Sequence, residues 1–269
     1  MKTIIVATDF SKEAENALLY AAGAAKQLKS KVIIFNSYTV PRHAVNSLFP
    51  ASGFLELIEY NNNILKQKAL ELAKEFSIEV GYESSLMDVN EELEVLIKKY
   101  DADLVIMGMA PKSLNQDLFG NTTTSAITKF KFPVLAIPLG AKFTGIKKIL
   151  FACDILRGVH EPILQKIKNF SLAMGAEIEI FSVYQKLNLI AQSEGSTNEI
   201  EEALKDVTHS YKNVESDKIL AEIDREVKDF GADMLVMLPH EYGFWGSLIH
   251  QSRTRIMASK SEVPLLSIA

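Results

Sequence analysis

The residues best placed to do chemistry lie between Ala102 and Pro138, in the run ADLVIMGMAPKSLNQDLFGNTTTSAITKFKFPVLAIP. Leu104 to Met107 form an apolar run too short for a helix and read as a buried strand. Gly108 follows at once, and a polar loop then ends in Gly120-Asn121-Thr122-Thr123-Thr124-Ser125. Ala126, Ile127 and Phe130 have helical spacing, and Pro133 opens a return strand, Val134 to Ile137. A strand, a glycine-bounded loop and a hydroxyl-rich helix start form an anion-binding arrangement. The helix's first N–H groups and its dipole favour negative charge in the loop, and phosphate is the natural occupant. Asn121 and the threonines serve equally well as a helix cap.

Other chemistry finds little support. The sequence has no GxGxxG, no GxxxxGK[ST], and no Ser-His-Asp set that can be placed together. His240 and His250 lack the spacing of a metal pair, and His43, His160 and His209 stand alone. Cys153, at the end of an apolar strand with no basic neighbour, reads as inert. Phe244, Trp245, Leu248 and Ile249 form an apolar patch that either packs on the sheet, the preferred reading, or meets a protein partner.

The elements that position these residues repeat. Lys2 to Asp9 resembles Lys147 to Asp154, and Val32 to Tyr38 resembles Ile178 to Tyr184 with a one-residue slip. Ala102 to Met107 resembles Ala232 to Met237, and Phe132 to Ile137 resembles Val263 to Ile268. Matching blocks in one order mean a duplicated domain, residues 1–139 and 146–269, joined near Leu139 to Gly145. Each half alternates strand and helix, which predicts an α/β fold: two tandem, open, doubly wound parallel sheets of five strands, packed as a pseudo-dimer. In the first half the strands are Ile4 to Ala7, Val32 to Phe35, Ile78 to Tyr82, Leu104 to Met107 and Val134 to Ile137. Ser11 caps a helix that buries Ala14, Leu18, Ala21, Ala22, Ala25 and Leu28. A loop from Thr39 to Gly53 precedes a helix that runs to about Phe76 and carries Leu55, Ile58, Ile64, Leu65, Leu70 and Leu72, and Val89 to Tyr100 is the next helix. In the second half, helices are expected at Val159 to Met174, Asn198 to Thr208, Asp217 to Phe230 and Trp245 to Ala258, with a short polar strand around Tyr211 to Val214. Such sheets bind ligands beyond the carboxyl ends of their strands, where the winding reverses. Asp9, Ser37 and Gly108 all fall there and should share one rim, although Asp9 and Asp154 also suit as helix caps.

The composition, 48% hydrophobic and 23% charged, is that of a soluble globular chain. A net charge of −5 argues against nucleic acid and anionic membrane as partners. A single cysteine excludes an internal disulfide, and no apolar run reaches the ~18 residues of a membrane span. The few apolar residues before Asp9 are too short for a signal-peptide core, so a cytoplasmic location is expected.

These residues resemble the universal stress protein family over the whole chain, as two tandem family domains. The marks are Ile4 to Asp9, the run Ala102 to Gly108, the Gly120 turn and Pro133 to Ile137. The family's ATP-binding members hold the triphosphate between a glycine after the fourth strand, a second glycine three residues on, and a Gly-Ser/Thr turn. Gly108 and Gly120 match the first and last of these. Pro111 stands at the second, the loop is one residue short, and Asn121 replaces the hydroxyl residue. The resemblance implies a stress-response protein that binds ATP or another adenine nucleotide, with or without Mg, in its first half. Ala7, Thr8, Asp9 and Ser37 would meet ribose and adenine. Met107, Gly108, Gly120, Asn121, Thr122 and Thr123 would hold phosphates. Pro111 has no N–H to donate, which weakens the site by about tenfold or more. At most slow hydrolysis is expected, because no base or arginine finger is evident. In the second half Leu238-Pro239-His240 replaces the glycine, so no nucleotide is expected there. The resemblance also implies pairing of the last strands, Pro133 to Ile137 with Val263 to Ile268, and further assembly into a homodimer. The competing reading is a nucleotide-independent interaction protein of the same family.

Overall fold

Short runs of branched apolar residues form the inner strands, and the two outermost strands are polar. The computed structural model describes residues 1–38, 51–109, 122–155, 158–184, 194–238, 257 and 261–268. In the first half, β1 (Thr3–Ala7), β2 (Lys31–Ser37), β3 (Val80–Ser85), β4 (Leu104–Met109) and β5 (Val134–Pro138) alternate with helices. Those helices are α1 (Lys12–Leu28), α2 (Ala51–Phe76), α3 (Val89–Tyr100) and α4 (Thr122–Lys129). The second half contributes β6 (Lys148–Ala152), α5 (Glu161–Met174), β7 (Glu177–Tyr184), α6 (Glu194–Leu204), β8 (His209–Glu215), α7 (Ile219–Phe230), β9 (Met234–Met237) and β10 (Leu265–Ser267).

The expected two sheets are one. The order is β3-β2-β1-β4-β5-β10-β9-β6-β7-β8, parallel at every pairing except β5 with β10. There Leu265 faces Ala136, Leu266 faces Leu135 and Ser267 faces Val134, antiparallel. The last strands therefore meet as the family resemblance implies, and the main-chain bonds of that meeting merge the two sheets.

Alternation along the strands divides the core. Ile4, Val6, Leu104, Ile106, Leu135 and Ile149 lie on the face covered by α1, α2, α5 and α6. Ile5, Val105, Met107, Val134, Leu150 and Leu235 lie on the face covered by α3, α4 and α7. Both apolar layers run from one half into the other without a break.

Local chemistry sets the helix ends. The Ser11 side chain accepts the Ala14 N–H at 3.2 Å, so Ser11 and not Asp9 caps α1. Asp88 accepts the Asn90 N–H at 2.9 Å and caps α3. In the second half His160, not Asp154, occupies the cap position of α5. On α2 the buried positions are Leu65, Ala69 and Leu72, whereas Leu70 is 62% exposed. Its position falls between the i, i+4 and i+7 sites that face the sheet. The third strand is Val80–Ser85 rather than Ile78 to Tyr82, because pairing with β2 continues to Ser37 opposite Ser85. The same effect lengthens β8 to His209–Glu215, paired along all of β7 from Ile178. The expected helix from Trp245 and the patch at Phe244, Trp245, Leu248 and Ile249 lie outside the described residues, apart from buried Met257.

One polar cluster interrupts the core under α7. Glu226 is only 4% exposed, and Lys212 Nζ lies 2.5 Å from its Oε2. Burial first, and then the neighbouring Glu226 carboxylate, push the carboxyl of Glu179 on β7 up to about 7, with Lys212 and Lys148 opposing; its Oε1 is buried without a hydrogen-bond partner. A carboxyl held above its ordinary value stabilises the fold fully below that ordinary value and loses the contribution as pH rises through about 7. Between pH 5 and pH 8 the urea midpoint of the natural chain should therefore fall relative to that of Glu179→Gln. Equal slopes in the two chains would refute this assignment.

Candidate functional site

The first half reverses its winding between β1 and β4, the innermost pair of its strands. Beyond their carboxyl ends is a cavity of about 260 Å³. Of the residues singled out in the sequence, Ala7, Thr8, Asp9, Ser37, Met107, Gly108, Thr122 and Thr123 all line it. Gly120 and Asn121, like Pro111, lie outside the described residues.

Each lining residue arrives there for a local reason. The Thr8 N–H donates to the Phe35 carbonyl at 2.8 Å, which extends the β1–β2 ladder by one bond. Buried Asn36 donates from Nδ2 to the Thr8 carbonyl at 2.7 Å and fixes the next peptide. The chain then turns sharply. Phe10 has φ of 62° and donates its N–H to Thr8 Oγ1, while Asp9 Oδ1 accepts the Ser11 N–H at 3.0 Å. A bulky residue in the left-handed region carries strain, and here the hydrogen bonds on either side hold it. Asp9 stays exposed at the rim.

Gly108 has a packing role that its sequence position did not disclose. A Cβ there would lie 2.4 Å from the Glu13 carbonyl oxygen and 2.8 Å from the Ala14 nitrogen. The end of β4 thus runs directly beneath the first turn of α1. Thr123 donates its hydroxyl to the Gly108 carbonyl at 2.8 Å and ties α4 to the same point. Ser37 donates its hydroxyl to the Met87 carbonyl, so it positions the loop before α3.

The cavity therefore faces two helix starts, α1 behind Ser11 and α4 at Thr122–Thr123, and the first turn of α4 carries no acidic residue. The positive dipole end of α4 favours an anion, whereas Glu13 and Glu15 occupy the first turn of α1 and offset its dipole. Asp9 and Glu13 also line the wall, and their carboxylates suit hydroxyl or amino donors. Sequence reasoning missed Glu13, whose signal was its place in the first turn behind the Ser11 cap. It also missed Val89 and Phe35, which supply apolar wall. Among the described residues no group of three His, Cys, Asp or Glu could hold a metal.

The corresponding rim of the second half differs. The Cys153 N–H donates to the Phe181 carbonyl at 3.1 Å, as Thr8 does to Phe35. Asp154, however, is 8% exposed where Asp9 is open. Burial pushes the Cys153 thiol above its ordinary range, which keeps it protonated and unreactive at neutral pH.

An open, doubly wound α/β sheet with a cavity at the strand reversal is a Rossmann-like fold. A profile of the universal stress protein family matches residues 1–138, and the chain belongs to that family. Among solved structures, a universal stress protein from Archaeoglobus fulgidus is similar with a TM-score of 0.74 and 16% identity, over 99% of this chain and 97% of that one. A putative universal stress protein from Pseudomonas aeruginosa has a TM-score of 0.63 and 15% identity, over 100% of this chain and 93% of its own. No curated protein matches. No described helix is long and apolar enough to cross a membrane.

The close approach at Gly108 gives a direct test. Gly108→Ala should cost about 1–3 kcal/mol, the usual range for overpacking against unyielding atoms, and lower the thermal midpoint. Thr123→Val, which only removes a hydroxyl, should cost about 1 kcal/mol. Calorimetric melts that rank the two in reverse would contradict the packing described.

Proposed function

We propose that the first half binds an adenine nucleotide, ATP among them, in the cavity between β1 and β4, and that the chain acts as a stress-response nucleotide-binding protein. The observation that carries this reading is the convergence of all eight described candidate residues on one cavity at the strand reversal. The ring and ribose would lie toward Ala7, Thr8, Asp9 and Ser37, where Phe35 and Val89 supply apolar wall and Asp9 an acceptor for ribose hydroxyls. Phosphate would lie toward Met107, Gly108, Thr122 and Thr123, at the α4 dipole, with Gly120 and Asn121 completing the loop. At about 260 Å³ the described cavity falls just below the range of ligand sites, about 300 to 1,000 Å³. Pro111 withholds one main-chain donor from the phosphates, which weakens binding.

Calorimetric titration with Mg-ATP and with AMP tests the proposal. Saturable heat is expected, lost in Gly120→Asp. In Pro111→Gly the affinity should rise by about tenfold, the worth of one restored hydrogen bond to a charged group. Absence of heat with either nucleotide at millimolar concentration would sink the reading and favour a nucleotide-independent interaction protein.

A further inference from the structure

The two halves are related by an approximate two-fold through the β5–β10 joint, so equivalent residues can be compared across it. Counting back from the left-handed caps Lys29 and Gly175, Tyr20 and Gly23 of α1 correspond to Lys166 and Asn169 of α5. The strand registers match Leu135 with Leu266 and Ile137 with Ile268. Asp103 accepts main-chain N–H groups of Lys2 and Thr3, as Asp233 accepts those of Lys147 and Lys148.

One difference breaks this equivalence. On the α1 side the segment between β5 and β6 fills the space beside the helix. Phe143 lies edge-on to Tyr20 with ring centres 5.3 Å apart, and a Cβ on Gly23 would come within 3.0 Å of the Phe143 ring. On the α5 side the same place is a cleft of about 490 Å³. Leu104, Phe170, Leu266 and Ile268, all buried, contribute its apolar lining, and exposed Lys166 and Asn169 stand at its mouth.

We propose that this cleft binds a small aryl carboxylate, its ring in the place that Phe143 takes across the two-fold and its carboxylate at the Lys166 ammonium. The volume lies within the range of small-molecule sites. An apolar floor under a cationic mouth selects a molecule with an apolar body and one anionic end. The ammonium has three donor hydrogens, so another partner does not exclude the ligand. Asp103, also in the wall, is directed at the strand amides. The cleft lies at the amino ends of β1 and β4, opposite the cavity proposed for nucleotide, and owes nothing to that proposal.

The test is titration of the 15N-labelled full chain with 3-phenylpropionate to about 10 mM, a concentration that detects millimolar binding. Saturable amide shifts are expected at Leu104, Phe170 and Ile268. Lys166→Glu should weaken binding about fivefold, the worth of a partly exposed ion pair. Asn169→Phe, which places a ring in the mouth, should abolish the shifts without lowering the thermal midpoint. The neutral amide of the same acid should bind the natural chain and Lys166→Glu alike, more weakly than the acid binds the natural chain. Shifts that do not saturate, or that fall elsewhere, would overturn the proposal. So would affinities for the acid unchanged in both variants.

Discussion

Three residue pairs join Val134–Ala136 to Leu265–Ser267, and they run antiparallel where every other neighbour in the sheet runs parallel. An exposed strand edge presents unpaired N–H and C=O groups, and each half would carry one at its fifth strand. Pairing the two edges satisfies both rows of main-chain groups and makes one sheet. Both apolar layers then extend across the joint, so neither half buries its core alone. The Ser267 hydroxyl reaches the Ile127 carbonyl at 3.4 Å, carrying the contact from the joint to α4 and hence toward the rim.

At that rim the controlling feature is the absence of a side chain at Gly108. It allows the first turn of α1 to sit on the end of β4, which brings Glu13 and the Ser11 cap to the wall that Thr122 and Thr123 close from the other side. The close contact and the ligand-facing geometry are one arrangement. A residue that suits phosphate because its backbone can approach closely is used here, in the first place, by a helix.

Much of this was legible in the sequence. The apolar runs at Ile4, Val32, Leu104 and Val134 gave their strands to within a few residues, because buried parallel strands leave little else for such runs to be. The meeting of the final strands came from the family resemblance and not from any local signal, and the pairing of Val134–Ala136 with Leu265–Ser267 agrees with it. Where local signals were weak, pairing decided instead. Polar β3 and β8 took their ends from β2 and β7, and on α2 the helical phase turns Ala69 inward and leaves Leu70 exposed. The site was legible as a set of strand ends, but not as contacts. Glu13 against Gly108, and Glu179 against Glu226, join residues far apart in the chain whose types carry no mark of the partner.

The joint also has a consequence for synthesis. Val134–Ala136 emerge from the ribosome well before Leu265–Ser267, and the intervening residues must be made while the first edge waits. Contacts of such long sequence separation form late and slowly, and an uncovered β edge in the interval is a place where nascent chains adhere. Until Leu265–Ser267 are made, a half-made chain carries its fifth strand as an uncovered edge.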